Sequence, residues 1–125
     1  MGFLPRCGTL LLLLAALGSA SDFSGKWKFF IEFEPVGYGD SVFILEQKGN
    51  TITGNYTGGL GNQPVKGAVY GDTAEFEFTY DRSGKPVRAI YTGTLHNTNK
   101  MSGKLRFDGW FGRGTWTAIR EAARP

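Results

Sequence analysis

The chain has 125 residues, enough for one domain and too few for two. Apolar residues make up 41%, and 14 basic side chains against 11 acidic ones give a formal charge of +3, which excludes both a disordered tail and a multi-span membrane protein. The 19 glycines follow no G-X-Y period, and one His and one Cys leave little material for a metal centre, a cofactor or a His-dependent enzyme, so none is expected.

Residues 1–20 read as a cleavable export signal. Arg6 supplies the positive start, residues 10–17 the apolar stretch, and Gly18-Ser19-Ala20 the small residues a signal peptidase requires. The apolar run is far shorter than the ~20 residues of a spanning helix. Cleavage would remove Arg6 from the 14 basic residues and none of the 11 acidic ones, leaving +2. It would also remove Cys7, so the remaining domain, residues 21–125, would hold no disulfide in a secreted or periplasmic setting.

From residue 26 onward the apolar residues alternate with period 2, broken by Gly, Asn, Asp and Pro clusters, which predicts eight strands. Strand one (26–34) turns Trp27, Phe29, Ile31 and Phe33 to one face. Strand two (41–47) does so with Phe43, Leu45 and Gln47, and strand three (51–57) with Ile52, Gly54 and Tyr56. Strand four (65–70) places Val65, Gly67 and Val69 inward, and strand five (73–80) Ala74, Phe76, Phe78 and Tyr80. Strand six (87–95) contributes Val87, Ala89, Tyr91, Gly93 and Leu95. Strand seven (100–107) contributes Met101, Gly103, Leu105 and Phe107, and strand eight (113–120) Gly114, Trp116, Ala118 and Arg120.

Eight consecutive strands with short connections suit an all-β, antiparallel up-and-down barrel, because closing the sheet covers the apolar face and removes both edges. Glycines recur on the inward face at 54, 67, 93 and 103. They fit either sharp strand curvature or space vacated for a ligand, and curvature is the simpler reading.

In a meander alternate loops share an end. Loops 35–40, 58–64, 81–86 and 108–112 look longer and more apolar than the other three, so that end is read as the mouth. Its rim would carry Val36, Tyr38, Leu60, Arg82, Lys85, Trp110 and Phe111, with Tyr38, Leu60, Trp110 and Phe111 as candidate ligand contacts. Gln47, Tyr56, Tyr80 and Tyr91 would be polar groups of the interior, able to orient a ligand. Trp27 and Arg120 should meet at the opposite end as a structural plug, guanidinium on indole.

The remaining chemistry is sparse. His96 lies in a turn without a nearby nucleophile, and Glu75 and Glu77 share an outer face, so no catalytic residue is assigned. Lys26, Lys28, Lys104, Arg106 and Arg113 form a modest outward basic stripe, read as a solvated face; no nucleic-acid partner is expected. Asn55-Tyr56-Thr57 is a sequon, which a eukaryotic secretory route would glycosylate at Asn55.

Gly25-Lys26-Trp27 at the first strand and Arg120 at the last resemble the calycin superfamily of lipocalins, fatty-acid-binding proteins and avidins, in which a Gly-x-Trp and a terminal Arg plug the barrel. The chain also looks like small exported bacterial proteins with a Thr-Gly-x-Tyr third strand (residues 53–56) and an ending like residues 112–117. The lipocalin Thr-Asp-Tyr motif is missing. Where avidins place polar groups for biotin, this chain has Phe29 and Phe33, so biotin is not the expected ligand. The resemblance implies a non-enzymatic exported binding protein, carrying a small apolar or aromatic ligand in or at the mouth. The competing expectation is a protein-interaction or inhibitor module that uses the mouth loops.

Overall fold

A computed structural model describes residues 22–35, 37–108 and 112–122. The export signal, Val36, Trp110 and Phe111 lie outside the described residues. Eight strands follow in chain order: β1 (Gly25–Glu34), β2 (Tyr38–Lys48), β3 (Thr51–Gly58), β4 (Gly61–Tyr70), β5 (Thr73–Arg82), β6 (Lys85–Asn97), β7 (Lys100–Asp108) and β8 (Arg113–Arg120). Each pairs antiparallel with the next, and β8 returns to β1, so the sheet closes as an up-and-down barrel.

Burial follows the alternation. Trp27, Phe29 and Ile31 of β1 are buried, and so are Phe76, Phe78 and Tyr80 of β5, while the residues between them mostly face water. The middle of the barrel is packed. Phe29 lies 4.4 Å from Phe43 and 4.6 Å from Trp116 between ring centroids, and Tyr91 stacks on Phe76 at 5.6 Å and 8°.

Two expectations are corrected. Strands β2, β4, β5 and β6 run further toward the mouth than the pattern suggested, so loops 59–60 and 83–84 are as tight as 49–50 and 71–72 at the base. Mouth and base therefore do not differ in loop length at these positions. Pro64 and Pro86 were the misleading signals. Each sits inside a strand where the ladder on one flank has already ended, β4–β5 starting at Lys66 and β6–β7 at Arg88. A residue without an N–H is tolerated at such positions.

The inward glycines do not leave interior space. A Cβ at Gly54 would overlap the Ile44 carbonyl oxygen, one at Gly67 that of Glu75, and one at Gly103 that of Thr92. At Gly93 it would enter the Trp116 ring. The missing side chains are occupied by neighbouring backbone and by Trp116, which supports the curvature reading.

Candidate functional site

The base is closed. Arg120 pairs with Trp27 in register, its guanidinium carbon 4.4 Å from the ring centroid. Its donors reach the carbonyls of Thr98 (2.8 Å), Asp22 (2.7 Å) and Ser24. Trp27 Nε1 donates to Phe23 O at 2.9 Å, and Phe23 is itself fully buried. Burial lowers the Arg120 pKa from its ordinary value. Gln47 belongs to this end as well. Its Oε1 accepts from Phe23 N and its Nε2 donates to Gly49 O, both at 2.9 Å. Gln47 therefore pins the segment before β1 and is not a ligand-orienting group of the interior. Phe23 escaped the sequence reading because a single aromatic ahead of the first strand has no periodicity to place it.

The other end holds the polar groups. Ser41 of β2 pairs with Gly58 of β3. A Cβ on Gly58 would lie 2.5 Å from the Tyr56 hydroxyl oxygen and 2.9 Å from Ser41 Cβ, so that glycine makes room for the Tyr56 hydroxyl beside Ser41. The Tyr56 hydroxyl accepts from Leu60 N at 3.2 Å, and its ring stacks on Phe78 at 4.0 Å. Ser41 is 6% exposed, and its hydroxyl has no hydrogen-bond partner among the described residues. Buried hydroxyls are normally paired, so this one is an exception that asks for a cause.

Tyr80 and Tyr91 complete the group. Burial pushes the Tyr91 hydroxyl pKa well above the usual tyrosine range, and Tyr56 and Tyr80 add to that by opposing a charge there. Tyr56 is raised for the same first cause, with the Leu60 hydrogen bond pulling the other way and Tyr80 adding to the rise. Tyr56, Tyr80 and Tyr91 thus lie close enough for a charge on one to be felt by another, and Ser41 adjoins Tyr56. The alternation that placed Phe43 and Leu45 inward also marks Ser41, whose polar character hid it.

The other predicted contacts separate. Leu60 lies in the β3–β4 turn and packs on the core. Tyr38 does not join the rim. It opens β2 with outward parity and is 84% exposed on the outer wall, because β2 begins there and not at residue 41. Asn55 is exposed on β3, its amide 3.4 Å from Thr57 Oγ1. His96 bonds Ser102 through Nε2. Glu77 is not simply solvated: Arg88 grips it with two hydrogen bonds of 3.0 Å and reaches Asp108 at 2.8 Å. Among the described residues no group of three or more His, Cys, Asp or Glu is placed to hold a metal ion.

No family model matches this chain, and no curated protein does. Solved structures do match in fold. A redesigned β-barrel aligns over 79% of this chain and 91% of its own, with a TM-score of 0.66 at 15% identity. A redesigned barrel named mFAP1, bound to DFHBI, covers 78% and 94% with a TM-score of 0.59 at 16% identity. The rhizavidin–biotin complex covers 86% and 99% with a TM-score of 0.51 at 15% identity. The chain is thus similar in architecture to small eight-stranded β-barrels.

Proposed function

We propose that this chain is a non-enzymatic binding protein that takes a small planar, mostly apolar ligand at the mouth of the barrel. The stacked rings of Tyr56 and Phe78 would form one wall against the ligand, and the hydroxyls of Ser41, Tyr56, Tyr80 and Tyr91 would donate to its acceptor oxygens, carbonyls or oxyanions. The observation that carries this reading is the buried Ser41 hydroxyl without a partner. An unpaired buried hydroxyl costs about 1–3 kcal/mol, and a ligand oxygen would relieve it. Further support comes from the barrels of similar fold whose structures hold DFHBI or biotin.

Export belongs to the same proposal. Cleavage after Ala20 would leave intact Phe23 and Ser24, which close the base. The test is a thermal-shift screen of small aromatic carbonyl compounds, with biotin as the compound not expected to bind. Compounds that raise Tm should lose that effect in Ser41→Ala and Tyr91→Phe. A panel without any stabilising compound, or stabilisation indifferent to both substitutions, would overturn the reading.

A further inference from the structure

The outer wall is grooved away from the mouth. A groove of about 850 Å³ crosses β2, β1, β8 and β7, and continues into one of about 640 Å³ over β8, β7 and β6. The two share Ser102, Gly103, Lys104 and Thr115. Its length covers four inter-strand steps, about 19 Å at ~4.8 Å each.

Gly93 and Gly103 face each other across β6 and β7, Trp116 of β8 pairs with Gly103, and Gly114 lies two residues along β8, opposite Leu105. A Cβ at Gly114 would lie 2.5 Å from the Glu32 carbonyl oxygen, and at Gly103 it would overlap that of Thr92. These positions carry no side chain, and all three glycines line the groove.

The register sets out what lines the groove. One row across the strands reads Asp40, Phe30, Thr117, Ser102, Thr94; the next reads Tyr38, Glu32, Thr115, Lys104, Thr92. One end offers two aromatic faces, Phe30 at 52% and Tyr38 at 84% exposure. The floor is short hydroxyl side chains. At the other end Arg106 of β7 stands directly opposite Arg113 of β8, with Lys104 one position along on the same face. Like charges directly opposed on a sheet repel; Arg113 is paired with Glu34 at 2.9 Å, while Arg106 has Glu77 as its acidic neighbour across Ile90 without a direct ion pair among the described residues.

We propose that this groove binds an acidic oligosaccharide. The exposed rings stack against the apolar faces of sugar rings, the threonines and Ser102 exchange hydrogen bonds with ring hydroxyls, and Arg106 with Lys104 takes a carboxylate or sulfate. A nucleic acid fits less well. A single strand is held by stacking base after base on aromatic side chains, and this groove has only Phe30 and Tyr38 at one end, whereas its hydroxyl floor matches the hydroxyls along a sugar chain. The groove is separate from the mouth, so its ligand does not depend on the hydroxyl cluster.

Calorimetric titration with heparin and with polygalacturonate tests the site, with dextran and poly(dT) as comparisons. Saturable binding to one acidic glycan and none to dextran is expected. Tyr38→Ala with Phe30→Ala, and separately Arg106→Glu, should each weaken it roughly tenfold or more with Tm unchanged. Ser41→Ala should leave it as it was. The heparin and polygalacturonate arms separate sulfate from carboxylate recognition. Binding to neither glycan at low salt overturns the proposal. So does equal binding of poly(dT) that ignores the aromatic substitutions, which would mean unspecific charge. Self-association abolished by the same substitutions also overturns it, since the face would then be an interface between copies.

Discussion

Ser41 is held against its own preference. Its hydroxyl is buried beside Tyr56 and finds no acceptor or donor among the described residues. Ser41→Ala should therefore raise stability by up to about 1 kcal/mol in the free protein, read from urea midpoints, while weakening the mouth ligand. A loss of stability would show that the hydroxyl has a partner in solution. Arg120 is the opposite case. Its guanidinium covers the Trp27 ring and bonds three carbonyls from two segments. Arg120→Ala should cost roughly 1–3 kcal/mol, because packing on Trp27 is lost and three carbonyls lose the donor that ties the two segments together. Arg120→Lys should recover little of it, since one ammonium cannot reproduce a planar fork aimed at three acceptors. Equal stability of Arg120→Lys and the unaltered protein in chemical unfolding would contradict that.

Glycine placement governs the strands. Gly103→Ala forces a methyl group into the Thr92 carbonyl, and backbone on a paired strand has little freedom to retreat. The expected cost is about 2–4 kcal/mol, measured by chemical unfolding. Gly59→Ala in the β3–β4 turn meets nothing within 4 Å and should change stability by less than about 0.5 kcal/mol. Similar losses at both positions would mean that the barrel relaxes around residue 103. These positions also show how much of the fold was legible in the sequence. Period 2 announces each strand because one face is buried and the other wet, and it fixes parity for Trp27, Tyr56 and Arg120 alike. It is blind to strand ends, where Pro64 and Pro86 look like breakers although the flanking ladder has run out. The candidate site was legible only in part. Tyr56, Tyr80 and Tyr91 follow from alternation, but the lack of a partner for Ser41 depends on what the neighbouring strands supply. The outer groove draws its lining from five strands, and only the register shows which of their residues share a row.

The whole barrel has different exposures to acid and to alkali. On the acid side, the hydrogen bonds from Arg88 hold the Glu77 carboxyl below its ordinary value. A carboxyl with a lowered folded pKa contributes stability above its unfolded value, and that contribution is lost as pH falls through the folded one. The pair lies on the outer wall, so the loss should stay below about 1 kcal/mol. On the alkaline side, Tyr91 is 1% exposed among Phe29, Phe43, Phe76 and Trp116, and its pKa is raised far above the usual 10.0. An unfolded chain ionises this hydroxyl near 10, whereas the folded barrel keeps it neutral. Stability from this group is therefore complete below pH 10 and declines as pH rises beyond it. Urea midpoints should stay nearly level through neutral pH and fall steeply above pH 10. Tyr91→Phe removes a hydroxyl with no hydrogen bond among the described residues, so it should fold at neutral pH and show a shallower alkaline decline. An unchanged decline in Tyr91→Phe would mean that the hydroxyl ionises as freely in the barrel as in the unfolded chain, and that the mouth is open to water down to the aromatic floor.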